Sequence, residues 1–115
     1  MAQHPSGAPV EIDAAILQHL LEQDRALLID VREREEFESE RIPAAVLMPL
    51  SSFDARAVAA MAPERQLVVL CLSGRRAQQA AQAVMAHGRP VLILKNGLLG
   101  WKEAGLPIEP RADGS

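Results

Sequence analysis

The sequence predicts a single α/β domain with a mostly parallel sheet covered by helices on both faces. Three observations carry that prediction. Short apolar runs near residues 26–29, 45–48, 67–70 and 91–94 lack the alternation of a half-exposed strand and suit strands buried on both sides. Between them lie segments whose apolar residues recur at helical spacing, and strand–helix–strand alternation is what parallel crossovers require. The chain has 115 residues, the size of one domain, and its 49% apolar but 3% aromatic content means a core of Leu, Ile, Val and Ala.

Each element has a local reason. Residues 1–9 are small, polar and proline-bearing, and are expected to be a flexible arm ahead of a domain over 10–108. A short strand around Val10 is expected at one sheet edge. Asp13 is placed to cap a helix whose apolar positions are Ile16, Leu17, Leu20 and Leu21. The first buried strand runs over 26–29 and ends at Asp30. A short helix over 33–40 follows, with Glu33, Glu35 and Glu36 at its positive end, and Ile42-Pro43 stops it. A strand over 45–48 precedes Pro49. Ser51 with Asp54 reads as a capping box that opens a helix to about Met61. A strand over 67–70 leads to an alanine-rich helix over 77–87, closed by Gly88 and Pro90. The last strand covers 91–94, Asn96-Gly97 turns the chain, and a helix over 98–104 surrounds Trp101. The chain is expected to fray from Pro107, with 109–115 a flexible tail.

Composition removes several functions. The formal charge of −3 is spread along the chain, which invites neither a nucleic-acid backbone nor an anionic membrane surface. No apolar stretch approaches spanning length, and residues 1–9 lack the basic-then-apolar pattern of a secretory leader. His4, His19 and His87 have no metal-ligand spacing, so no metal is expected. The single cysteine cannot form an internal disulfide, and a reducing cytoplasm is its natural compartment.

That cysteine is the candidate site. In VVLCLSGRRAQQ, Cys71 ends a buried strand and begins a tight loop before a helix, where open parallel sheets place their ligands. Gly74 lets the loop curl, which turns successive N–H groups of the loop and helix start inward as an anion nest for a thiolate or persulfide. Arg75 and Arg76 fall in the first helical turn, against the usual macrodipole preference, which makes sense if an anion occupies the nest. The plainer readings are that Cys71 is a small buried hydrophobe and that the two arginines are solvated surface charges. Ser73 reads as a loop residue making a local hydrogen bond, and Trp101 as a packing residue.

In order along the chain, Leu28-Ile29-Asp30-Val31-Arg32, Glu36-Phe37, Arg41-Ile42-Pro43-Ala44-Ala45, Cys71-Leu72-Ser73-Gly74-Arg75-Arg76, and Asn96-Gly97 with Trp101 resemble the motifs of the rhodanese homology family. The resemblance covers about residues 10–107. It implies a single rhodanese-like domain with a five-stranded parallel sheet, and thiosulfate sulfurtransferase chemistry at Cys71 through a covalent persulfide, with no cofactor. It further implies that Leu72, Ser73, Gly74, Arg75 and Arg76 bind the donor or cradle the persulfide, and that Asp30 and Arg32 brace the loop. The implied partners are a small anionic sulfur donor such as thiosulfate and a thiophilic acceptor: cyanide in an assay, small thiols or thioredoxin-like proteins in a cell. Three positions depart from the family pattern: Glu40 and Arg41 ahead of Ile42, and Asn96 for the first glycine of a pair. Leu72 stands where relatives often carry a polar or basic residue, which makes one wall of the pocket apolar.

Alternative functions stay open at this point. One is a partner-dependent sulfur relay and another a non-catalytic rhodanese-like binding module, although Cys71 is retained. A phosphatase or arsenate reductase would need a longer loop closed by arginine at position 77, which is Ala77.

Overall fold

A computed structural model describes residues 8–110. The expected arm and tail fall largely on 1–7 and 111–115, outside the described residues. Five strands, β1 Val10–Ile12, β2 Ala26–Asp30, β3 Val46–Leu47, β4 Gln66–Leu70 and β5 Leu92–Leu94, form one sheet in the order β1-β5-β4-β2-β3. Every pairing is parallel. The strand anticipated around Val10 is the β1 edge.

The helices are α1 Ala14–Glu22, α2 Arg34–Ser39, α3 Ala55–Ala59, α4 Arg75–Met85 and α5 Gly97–Glu103. Successive strand residues point to opposite faces, so β4 divides its apolar side chains between two cores. Leu67 and Val69 join Val58 of α3 and Ala77, Ala80, Ala81 and Val84 of α4. Val68 and Leu70 join Leu17 of α1 and Leu98 and Trp101 of α5. The small alanines of α4 let that helix lie close on the sheet.

Local chemistry explains the starts. The Asp13 carboxylate accepts the Ile16 amide at 2.9 Å and opens α1. The Glu33 amide, just ahead of α2, donates to the Glu36 carboxylate at 2.9 Å. The expected capping box at Ser51 is corrected: Leu50–Ser52 is one 3₁₀ turn, and α3 begins at Ala55, where Asp54 accepts the Ala57 amide at 3.0 Å. Ser51 is used over a longer range, its hydroxyl donating to Glu33 Oε1 at 2.7 Å. α4 begins at Arg75, two residues ahead of its expected start. Fraying from Pro107 is corrected as far as Glu109. Trp101 Nε1 donates to the Pro107 carbonyl at 2.7 Å, and Arg41 and Glu109 exchange backbone hydrogen bonds.

This topology fixes where a ligand site belongs. From β2 the chain crosses to β3 at one edge, and from β4 it crosses to β5 in the opposite direction. The connections diverge between β2 and β4, and the loops leaving their carboxyl ends frame a crevice. The loops after Asp30 and Leu70 meet there.

Candidate active site

Cys71 follows the last residue of β4 at that divergence point. Its side chain continues the Leu67–Val69 row on the α4 face and is 1% exposed. Burial alone would describe an inert small side chain. The polar surroundings differ from that picture: the Gly74 amide donates to Sγ at 3.0 Å and the Ala77 amide at 3.3 Å. Two N–H dipoles converging on one sulfur form an anion's environment. Among the described residues, no hydrogen bond engages the amides of Leu72, Ser73, Arg75 or Arg76, which leaves four further donors around the same turn.

Two glycines hold this turn for different reasons. Gly74 has φ +124° with nothing within 4 Å of where a Cβ would stand, so its need is purely conformational. Gly97, at φ +53°, is pressed against the loop: an added Cβ would lie 2.3 Å from the Cys71 carbonyl oxygen and 2.6 Å from that of Leu72. This close approach lets α5 grip the loop, as the Leu98 amide donates to the Cys71 carbonyl at 2.9 Å and the Leu99 amide to that of Leu72 at 3.2 Å. With those two carbonyls held by α5, the Gly74 and Ala77 amides are presented to the sulfur. Asn96, the departure from a glycine pair, sits at φ 62°, a left-handed conformation that asparagine tolerates.

The charged side chains divide into three groups. Asp30 and Arg32 are both buried, and Arg32 binds the Asp30 carboxylate through Nε and Nη2 while donating to the Glu36 and Glu40 carbonyls. That network ties the end of β2 to α2. Arg76 is gripped by Glu36 in a two-pronged ion pair of 2.7 and 2.9 Å. These bonds, with help from the Glu33 amide and against partial burial, lower the Glu36 carboxyl from 4.5 to about 2. The Arg76 charge also feels Cys71 and Asp30. Arg75 is exposed and has no side-chain partner among the described residues. Leu72 and Leu99, 37% and 50% exposed, make the loop's rim apolar. Ser73 is exposed, and the local hydrogen bond expected of its hydroxyl is corrected: among the described residues it makes none.

The structure brings Cys71, Gly74, Arg75 and Arg76 onto one turn, with Asp30 and Arg32 at the carboxyl end of the neighbouring β2. Glu36 was not anticipated as part of the site, because its partner lies 40 residues away. Ala77 was considered only for its side chain, whereas its amide is what reaches the sulfur. Gly97 carried the signal of a turn, but nothing in the sequence placed that turn against Cys71.

The model of the rhodanese-like domain matches residues 13–104. A sulfurtransferase of Allochromatium vinosum is 35% identical over 100 residues, covering 85% of this chain and 92% of that protein. An uncharacterised Synechocystis protein is 38% identical over 99 residues, and the chain spans about half of its length, 55%. Among solved structures, the human single-domain sulfurtransferase superposes with a TM-score of 0.70 at 28% identity, covering 84% of this chain and 96% of that one.

Proposed function

The chain belongs to the rhodanese-like domain family, and on that premise we propose that it is a sulfurtransferase carrying transferable sulfur as a persulfide on Cys71. The observation that carries the reading is the pair of amides, Gly74 and Ala77, donating to one sulfur at the carboxyl end of the central strand. The Cys71 thiolate attacks the outer sulfur of a donor such as thiosulfate. A new S–S bond forms as the donor's S–S bond breaks, and sulfite leaves with the bonding electron pair. An acceptor thiolate or cyanide then attacks the outer sulfur and regenerates the Cys71 thiolate, which is the ordinary economy of a covalent intermediate.

The residues divide this work among them. The unengaged amides of Leu72, Ser73, Arg75 and Arg76 are available to the added sulfur, as oxyanion-hole donors are to a developing charge. Arg75 meets the anionic donor, while Asp30 and Arg32 keep the neighbouring loop in place. The reading takes no cofactor beyond the covalent persulfide, and a reducing cytoplasm suits the free thiol. The test is thiocyanate formation from thiosulfate and cyanide, with intact-mass measurement after donor alone. We expect wild type to gain one sulfur and turn over, and Cys71→Ser to do neither. Equal turnover by the two proteins would refute the assignment.

A further inference from the structure

The site's two cations are not equivalent. Arg75 and Arg76 are adjacent in sequence and both stand in the first turn of α4. Arg75 is exposed and unpaired among the described residues, whereas both Nη groups of Arg76 are spent on the Glu36 carboxylate at 2.7 and 2.9 Å. Glu36 comes from α2, on the loop that leaves the other strand of the crevice, and is held there in turn by the Glu33 amide. It is about as exposed as its partner, 34% against 32%, so the pair is open to solvent on the turn that follows Cys71. The same loop exposes Leu72, and α5, which grips it, exposes Leu99.

We propose that Glu36 is a specificity-determining positioning residue, which by clamping and neutralising Arg76 leaves Arg75 as the free cation of the Cys71 turn among the described residues, and so disfavours compact dianionic sulfur donors. The inference rests on the sulfurtransferase reading for the identity of the reaction, and on the ion pair for its direction. A dianion such as thiosulfate gains from every uncompensated positive charge at the mouth. A carboxylate fixed beside Arg76 cancels one of them and adds its own repulsion. A donor with one charge or none, and with an organic body to lay against Leu72 and Leu99, loses far less. The clamp therefore sets discrimination among donors, and the sulfur chemistry stays with Cys71 and its amides.

Glu36→Gln is the informative substitution, because glutamine at this position still accepts the Glu33 amide and preserves the start of α2. We expect it to lower the thiosulfate KM roughly three- to tenfold with little change in kcat, the size of one partly screened charge near a site. The gain should shrink as salt rises, and adding Arg76→Ala to Glu36→Gln should abolish it. Glu35→Gln removes an exposed charge from the same helix without touching Arg76, and serves as the control. A second readout needs no turnover. Because Cys71 is the sole cysteine, its alkylation by anionic iodoacetate and neutral iodoacetamide can be followed by mass. Their rate ratio should rise in Glu36→Gln and not in Glu35→Gln. An unchanged ratio and KM, or equal changes in the two variants, would overturn the role of Glu36. Absence of sulfur transfer from every donor, with the ratio still raised, would remove the sulfurtransferase reading and leave the clamp standing.

Discussion

At the scale of single residues, the site depends on two glycines whose replacements fail in different ways. Alanine at Gly74 meets no neighbour, so Gly74→Ala carries only the strain of φ +124°, about 1–3 kcal/mol. Alanine at Gly97 adds a collision with the Cys71 and Leu72 carbonyls to its left-handed strain, and the fold must give by about 2–4 kcal/mol. Thermal denaturation should therefore rank Gly97→Ala below Gly74→Ala. Sulfur loading of Cys71, followed by intact mass, should be impaired in both, since the first moves an amide and the second moves the sulfur's own backbone. A Gly97→Ala protein with wild-type melting and loading would show that α5 does not grip the loop. The placement of Cys71 and Gly74 was readable from the sequence because it is local: a strand end, a tight turn and a helix start. The grip at Gly97 was not, because it depends on a helix 26 positions further along touching the loop.

At the scale of elements, helix starts show where local reading works and where it stops. Asp13 was legible as a cap because a carboxylate three residues ahead of an amide can only do a few things. Ser51 had the same appearance and serves Glu33 instead, across 18 residues. The link between α2 and α4 through Glu36 and Arg76 was equally invisible, since a charge run on a short helix carries no mark of its distant partner. That link has a pH signature with a definite sign. The folded Glu36 carboxyl is lowered from 4.5 to about 2, chiefly by the Arg76 hydrogen bonds. Its contribution to stability is complete above about pH 4.5 and is lost as pH falls through about 2. Urea midpoints measured between pH 5 and pH 2 should therefore fall less steeply for Glu36→Gln than for wild type. Parallel slopes would mean that Glu36 is not paired with Arg76 in solution.

At the scale of the whole molecule, the strand–helix alternation predicted a covered parallel sheet, and the order β1-β5-β4-β2-β3 meets that prediction. The order itself was beyond the residues' own pattern, since apolar runs such as those of β2, β4 and β5 say that a strand is buried and not which neighbour it has. Residues 107–109 were misread because their ties are tertiary: a carbonyl for Trp101 Nε1, and a backbone exchange between Arg41 and Glu109. One property of the molecule needs no coordinates. On the proposed reading, a chain with a single cysteine has no internal thiol to resolve a persulfide, so sulfur taken up at Cys71 would leave to an external nucleophile. The structure adds that Cys71 Sγ is buried, with the Gly74 and Ala77 amides donating to it and Arg75 exposed on the same turn. Protein loaded with a sulfur donor and desalted should keep its added mass over hours in buffer, then lose it on addition of a small thiol or a thioredoxin-like protein. Loss at the same rate with and without thiol would mean that discharge needs no added acceptor, and would overturn the requirement for an external thiol.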